Sequence, residues 1–424
     1  MARPHISQEE FVRFGTPGRY CRDENRVSLG VYIQVPFCQT KCTYCNFHTG
    51  VVSRDRYGLY ADAVCREIAL AAEENGGAGA TENAVDTVYF GGGTPSLLDP
   101  SDLAKMVDRL RARFLMAGTA ASGLAAQPEI TLEADPETIT AEKAAAWLVA
   151  GFNRISLGAQ SFDDCELKSS GRIHRRADIY RAVEALRDAG FRNISIDLIA
   201  GLPHQSRESW EGSLSELLDL RPEHISIYML EIDEGSRLGK ESLAGGSRYS
   251  ASAIPSDDAI AESYESACAR LTAGGYEHYE ISNWALPGCR SQHNLKYWRR
   301  QSYFGFGAGA HSFDGRTRWA NLHDSARYVD CIERGISPRE QIEGVTAEQA
   351  LEEEFFLGLR QLDGIDLGRI ERDYDAELPG RIGDLRGRIT NLQSQGLIEL
   401  DGARLRLAPD RLSVSNEVLV ELLG

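Results

Sequence analysis

The chain has 424 residues, with 63 acidic against 46 basic side chains and a formal charge of −17. That length carries one large domain and a smaller one, and so acidic a balance excludes a protein that grips a phosphate backbone; the basic run GRIHRRADIYR reads as a solvated helix face. No window approaches eighteen consecutive apolar residues, which excludes a membrane-spanning helix, and MARPHISQEEFVRFG lacks the apolar core of a signal peptide.

In chain order, residues 1–29 read as an N-terminal extension. From residue 30 short β-branched runs alternate with longer amphipathic ones. The strand candidates are GVYIQVP (30–36), VDTVYF (85–90), EITLEA (129–134), FNRISLG (152–158), NISIDLIAGLP (193–203) and HISIYML (224–230). Between them Tyr60, Val64 and Ile68, then Ile179, Val183 and Leu186, then Trp210, Leu214, Leu217 and Leu218 repeat at helical spacing. The Gly/Ala-rich stretches 71–82 and 117–126 read as loops. Strand and helix alternating some six times call for a parallel sheet with right-handed crossovers. An open doubly wound sheet and a barrel both satisfy that pattern, and periodicity does not choose between them.

After about residue 320 the pattern changes. Leu351, Phe355 and Leu359 mark one helix face, RIGDLRGRITNLQSQG a second helix, and LIELDGARLRL a hairpin centred on Asp401-Gly402. Helices followed by a hairpin predict a small winged-helix-like α+β domain over 346–424, after a strand–helix domain over 30–320.

The polar residues are placed informatively. Cys38 follows the first strand, GGGTPS the second, Glu133 ends the third, Gln160 follows the fourth, and Asp197 lies within the fifth. Sites in parallel α/β folds form at the carboxyl ends of strands, so five successive strands deliver chemistry to one rim.

Three of the nine cysteines stand in CQTKCTYC, residues 38–45. An odd cysteine count without a secretory signal indicates a reducing cytoplasm, where clustered thiols bind metal or do redox chemistry. Cys21, Cys65, Cys165, Cys268, Cys289 and Cys331 read as small, partly buried residues. Structural zinc wants a fourth ligand from a second pair, and a redox C-x2-C leaves Cys38 unexplained. Three thiolates on a [4Fe–4S] cluster leave one iron open to a ligand that is not protein. Glycines after a strand let backbone approach a ligand, with a flexible loop as the alternative. Asp197 is costly to bury unless a ribose hydroxyl or a cation meets it, and a structural ion pair is the plainer reading.

CQTKCTYC behind a strand, followed by YFGGGTPS, resembles the radical S-adenosylmethionine (SAM) superfamily. GFNRISLGAQSF, GRIH, SIDLIAGLP, YEISNWALPG, HNLKYW and YFGFGAGAHS are similar to its HemN/HemW group, over most of residues 30–424. The resemblance implies α/β architecture: a partial (β/α)6 barrel followed by the small C-terminal domain. It implies Cys38, Cys42 and Cys45 as ligands of a [4Fe–4S] cluster. Tyr32, Gly92, Gly93, Thr94, Glu133, Gln160, Arg172 and Asp197 match SAM-binding positions, and His293 in HNLKYW matches a position for heme contact. His293 and Asn294 capping a helix is the alternative; His48 and His311 are weaker pocket candidates. EADP puts Asp135 where the group suggests asparagine, a change expected beside the site rather than in it.

Coproporphyrinogen dehydrogenases of the group carry a fourth cysteine where this chain has Phe47, and a longer N-terminal extension. The resemblance therefore implies a heme chaperone that passes heme to an acceptor such as a respiratory-chain cytochrome, without decarboxylase activity. Coproporphyrinogen III decarboxylation and a class C-like radical methyltransferase are the alternatives. No nucleic-acid partner or membrane span is expected; peripheral membrane contact and a homodimer stay open.

Overall fold

Apolar and polar residues alternate along each of the first six strands, and the alternation decides which way each strand faces. The computed structural model describes residues 28–47, 49–74, 83–119, 122, 126–408, 411–412 and 415–424. Cys21, His48 and residues 1–27 of the expected N-terminal extension lie outside them.

The strands β1 (Leu29–Val35), β2 (Val85–Gly92), β3 (Glu129–Ala134), β4 (Arg154–Gln160), β5 (Ile194–Ala200) and β6 (His224–Met229) are parallel and neighbour one another in sequential order. Between them run α1 (Asp55–Glu74), α2 (Pro100–Arg113), α3 (Ala141–Ala150), the pair α4 (Asp164–Ser169) and α5 (Arg176–Ala189), and α6 (Arg207–Leu220). A strand order that never reverses sends every right-handed crossover to the same face, which curls the sheet into a barrel wall. A doubly wound sheet needs a reversal. Strand order thus settles what periodicity left open, in favour of the partial barrel.

The outward set is apolar. Val31, Ile33 and Val35, Ile155 and Leu157, Ile194, Ile196 and Leu198, and Ile225 and Ile227 are all 0% exposed. They share one core with Tyr60, Val64, Ile68, Trp147, Trp210 and Leu214 of the surrounding helices. Full burial of each such aliphatic side chain contributes about 1.5–3 kcal/mol. The inward set is polar: Tyr32, Tyr89, Thr131 and Arg154 are neighbours in register, as are Glu133, Ser156, Ser195 and His224, with Asp197 beside Ser226. The barrel therefore encloses a polar lumen. Arg154 is 1% exposed there, and its Nε and Nη1 have no hydrogen-bond partner among the described residues.

Beyond β6 come α7 (Arg237–Leu243), α8 (Asp257–Ala273), β7 (Glu277–Glu280), β8 (Asn283–Ala285), α9 (Gln292–Trp298), β9 (Tyr303–Phe306), β10 (His311–Phe313), β11 (Thr317–Asn321), α10 (Ser325–Glu333) and β12 (Arg339–Gly344). They extend both edges of the sheet, in the order β12-β11-β10-β9 before β1 and β8-β7 after β6. The short α9 sits across the amino-terminal ends of the barrel strands. Its Lys296 reaches Asp86 at 2.7 Å and Ser28 at 2.8 Å, and the His293 N–H donates to Glu129, the first residue of β3.

A second core belongs to α11 (Ala347–Gly358), β13 (Ile365–Asp366), α12 (Leu367–Tyr374), α13 (Pro379–Ser394), β14 (Ile398–Asp401), β15 (Arg404–Leu407) and α14 (Ser415–Leu423). Leu351, Phe355 and Leu359 are fully buried in it. Helix, short strand, two helices and hairpin give the expected winged-helix-like order. The ion pairs Arg290–Asp363 and Arg300–Glu353, both 2.6 Å, join the two cores.

Some boundaries differ from expectation. The β14–β15 turn is Gly402-Ala403, one residue later than read, because Asp401 pairs with Arg404 and Gly402 takes the positive φ (59°) that the first position of a type II′ turn needs. Residues 71–74, read as loop, are the last turn of α1. β4 starts two residues late because Gly151 and Phe152 close the end of α3 on the carbonyl of Trp147. Cys165, expected to be partly buried, is exposed. No helix among the described residues is long and apolar enough to cross a membrane.

Candidate functional site

The segment after β1 turns sharply across the barrel mouth and carries Cys38, Cys42 and Cys45, all free and half-buried. Burial pushes the Cys38 and Cys45 thiols up, and each feels the charge of a neighbouring cysteine. Left to themselves these are protonated thiols, and iron is what holds such groups as thiolates. Among the described residues no three His, Cys, Asp or Glu side chains stand close enough to hold a single metal ion. A four-iron cube takes one thiolate at each of three separate corners, so it is served by sulfurs spread more widely than one tetrahedral ion requires. The Thr43 hydroxyl and the Ser170 hydroxyl beside this loop are buried without hydrogen-bond partners among the described residues. Phe47 is 67% exposed at its end.

A chain of polar contacts runs from the glycine loop to the cysteines. The Thr94 hydroxyl donates to Asp135 Oδ2 at 3.0 Å, Arg172 Nη2 donates to Asp135 Oδ1 at 2.5 Å and to the Gly158 carbonyl at 2.7 Å, and Arg172 Nη1 points at Cys42 Sγ, 3.6 Å away. Gln160 Nε2 lies in the same crowd: a Cβ on Gly158 would stand 2.9 Å from it, 3.2 Å from Arg172 and 3.3 Å from Asp135. Thr94, Gln160 and Arg172 therefore meet, and so does Asp135. The expectation that Asp135 lies beside the site is wrong: it follows β3 on the lumen side and is the counter-ion of the buried Arg172.

Glu133 clamps the neighbouring strand. Its Oε1 accepts from the Tyr89 hydroxyl at 2.8 Å and its Oε2 from the Gly92 N–H at 3.1 Å. Burial pushes its carboxyl up to about 7, helped by the charges of Asp197 and Asp135. Tyr32 stacks on Tyr89 with ring centres 6.0 Å apart. The glycines do something other than expected. A Cβ on Gly93 would lie 2.4 Å from the carbonyl oxygen of Phe37, so what approaches closely is the backbone just before Cys38. The N–H groups of Gly93 and Thr94 donate to the carbonyls of Val35 and Phe37, at 2.8 and 2.7 Å. The loop is stitched to the base of the cysteine segment, and its N–H groups do not face a ligand.

Asp197 lies deeper, within reach of the Ser156 hydroxyl (3.3 Å) and the Ser195 hydroxyl (3.3 Å), and burial raises its carboxyl. The plainer reading of a direct ion pair fails: Arg154 is near enough to lower this carboxyl, but the two form no salt bridge among the described residues.

His293 lies below all of these, at the barrel floor, 1% exposed. Its Nδ1 is 2.9 Å from the Thr87 hydroxyl and its Nε2 2.9 Å from the Tyr297 hydroxyl, while its ring stacks on Tyr89 at 5.2 Å. Burial, with Lys296 and Arg154 nearby, pushes it down to about 3, so it is neutral. Both ring nitrogens are thus engaged, and contact with a heme iron would require His293 to give up one of these partners. The capping alternative fails, since Ser291 is the N-cap, accepting from the Asn294 N–H. His311 is exposed at the start of β10. Sequence reasoning missed Tyr89, Thr87, Arg154 and the lumen serines; the signal was the strict alternation of polar with β-branched residues along the strands.

Residues 32–217 match the Radical SAM superfamily and residues 345–410 the HemN C-terminal domain. The chain is 35% identical over 394 residues to the heme chaperone HemW of Bacillus subtilis, covering 93% of this chain and 98% of that one. It is 34% identical to HemW of Mycobacterium tuberculosis (93% and 95% covered), and 32% identical to the mitochondrial radical S-adenosyl methionine domain-containing protein 1 of Bos taurus (93% and 87% covered). The solved coproporphyrinogen III oxidase HemN of Escherichia coli shares the fold, with a TM-score of 0.78 at 22% identity over 94% of this chain and 90% of that one. With the cysteine segment, the stitched glycine loop and the lumen in place, the chain belongs to the HemW family of the radical SAM superfamily.

Proposed function

We propose that this protein is a heme chaperone of the cytoplasm, which holds heme beside a SAM-ligated [4Fe–4S] cluster and hands it to an acceptor protein such as a respiratory-chain cytochrome. What carries the reading is the relationship itself: relatives named heme chaperone HemW match at 30–38% identity, several along nearly their whole length. Radical SAM membership brings the cluster and SAM. When bound, the cluster supplies one-electron chemistry to SAM.

The chain's own residues have distinct parts. Cys38, Cys42 and Cys45 hold three irons. Arg172, fixed by Asp135, sets a positive charge against Cys42 and favours its thiolate. Tyr32, Gly92, Gly93, Thr94, Glu133, Gln160 and Asp197 form the SAM-facing wall. Because the N–H groups of Gly93 and Thr94 are engaged, the glycine loop offers carbonyl oxygens, which suit the amino group of SAM, and Glu133 and Asp197 suit its cationic and hydroxyl groups. His293 supports Tyr89 from beneath. In this division 30–320 holds the cofactors and 346–424 stands against their barrel; a homodimer would form outside both cores.

The test is an anaerobic optical titration of the cluster-reconstituted protein with hemin, then incubation with SAM, a reductant and coproporphyrinogen III. A saturable heme spectrum near one per chain, with no protoporphyrinogen formed, is the expected result. Decarboxylated product without stoichiometric heme binding returns the protein to the decarboxylases.

A further inference from the structure

An open pocket of about 710 Å³ lies beside the cysteine segment, walled by that segment, α4, the turn after β5 and the stretch from α7 to residue 250. Its lining carries three cations, Lys41, Lys168 and Arg237, five serine and threonine hydroxyls, and no carboxylate. None of the three cations has a carboxylate partner among the described residues, and Arg237 donates to the Lys41 carbonyl at 3.4 Å. In a chain of charge −17, cations left without counter-ions in one concavity make a positive field that draws an anion.

The pocket is built into the cysteine segment. Thr43, between Cys42 and Cys45, lines it; its N–H donates to the Ser170 carbonyl at 3.1 Å, and its own carbonyl accepts from the Leu238 N–H at 2.8 Å. The His204 N–H donates to the Ala253 carbonyl at 2.8 Å and joins the two other walls. Backbone bonds therefore tie the walls to one another and to the loop that carries the cysteines. Thr43 is 6% exposed, and its hydroxyl is a donor still without an acceptor among the described residues. Three non-glycine residues with positive φ also stand in the lining, His204 (69°), Tyr249 (56°) and Ser250 (58°), and backbone of this kind gathers where a site holds it in place.

Ammonium, guanidinium and hydroxyl donors with little apolar surface among them are the donor set that suits phosphoryl oxygens, which offer several acceptors and up to two charges on each phosphorus. Three cations exceed what one phosphate needs, and the volume leaves room for more than one. We propose that this pocket binds a soluble small molecule carrying two or more phosphate groups, paired by Lys41, Lys168 and Arg237 and hydrogen-bonded by the surrounding hydroxyls. The site is separate from the SAM-facing wall of the lumen and does not rest on the heme-chaperone reading. Because Thr43 is bonded to two of the walls, a ligand that draws those walls together holds the cysteine segment in place, so that ligand and assembled cluster support one another.

The experiment titrates the full-length, cluster-reconstituted protein, desalted to remove unbound iron, with sodium triphosphate in a calorimeter, and with citrate at matched ionic strength as a polyanion without phosphorus. The same titrations are run on Lys168→Gln/Arg237→Gln, with cluster absorbance and thermal unfolding checked against wild type; both side chains are exposed, so the double variant is expected to fold and to keep its cluster. Expected are a saturable triphosphate site near one per chain and affinities weaker by about tenfold or more for citrate and for the double variant. A rise in unfolding temperature with triphosphate, lost in the double variant, is expected alongside. No saturable binding, equal affinity for citrate, or full binding by the double variant overturns the proposal. Phosphatidylglycerol vesicles present the same phosphate chemistry on a membrane; co-sedimentation that requires Lys168 and Arg237, without triphosphate binding, assigns the cations to a lipid surface and overturns the soluble ligand.

Discussion

Replacing Gly93 with alanine tests whether the glycine loop is built for a ligand or for the cysteine segment. A Cβ there would stand 2.4 Å from the Phe37 carbonyl oxygen and 2.9 Å from the Phe37 nitrogen and carbonyl carbon, all backbone atoms that no rotamer change can move. Contacts under 3.0 Å essentially never occur, so the two segments must part by at least about 0.6 Å. That movement stretches two short backbone bonds, Gly93 N–H to Val35 and Thr94 N–H to Phe37. Overpacking and weakened buried hydrogen bonds together cost about 2–4 kcal/mol. Because Cys38 directly follows Phe37, the displacement also misplaces the first thiolate. Purified Gly93→Ala is expected to unfold at a lower denaturant midpoint and to hold markedly less iron and sulfide per chain after anaerobic reconstitution, even without SAM. A variant that assembles a full cluster with unchanged stability and is weakened only in SAM binding refutes the argument that the cysteine segment requires this glycine.

Two further outcomes follow from the same geometry. Asp135→Asn leaves the guanidinium of Arg172 buried beside Cys42 without its counter-ion; because the pair is largely but not fully buried, a loss of about 2–3 kcal/mol is expected in denaturant titrations, and no measurable loss would place that ion pair outside the fold's support. The Glu133 carboxyl is held up near 7 by burial, and the groups facing it are Tyr89, the Gly92 N–H and the carboxylates of Asp197 and Asp135. A cationic ligand favours its charged form, so SAM affinity is expected to rise as pH climbs through about 7, with protons released on binding; calorimetry in buffers of different ionisation enthalpy reads that release, and a pH-independent affinity with none would sever Glu133 from the cation.

Much of the barrel was legible because a strand buried against helices on one side and a polar lumen on the other writes itself as strict alternation, and VYIQV, TVYF, SIDLI and ISIYM all carry it. The rim was legible for the same reason, since motif residues at strand ends need only the strand to be found. Strand order, which separates a barrel from a doubly wound sheet, is set by long-range pairing and leaves no local trace. Asp135 was misread because its role depends on where Arg172 returns, 37 residues later and after a helix. The setting of His293 was hidden for a stronger form of the same reason: its partner Thr87 is 206 residues away, and no local pattern says that both ring nitrogens are already occupied.

Those two long-range placements together explain how the site is organised. α9 closes the amino-terminal end of the barrel, and the His293 ring is the plug: hydrogen-bonded on both sides, stacked under Tyr89 and held neutral by burial. A neutral plug matters, because the lumen above already holds the buried guanidinium of Arg154, and a second buried cation beside it would add repulsion and a further desolvation cost. With the floor shut, ligands reach the lumen from the rim, where Glu133 and Asp197 face it and the Arg172–Asp135 pair stands beside Cys42.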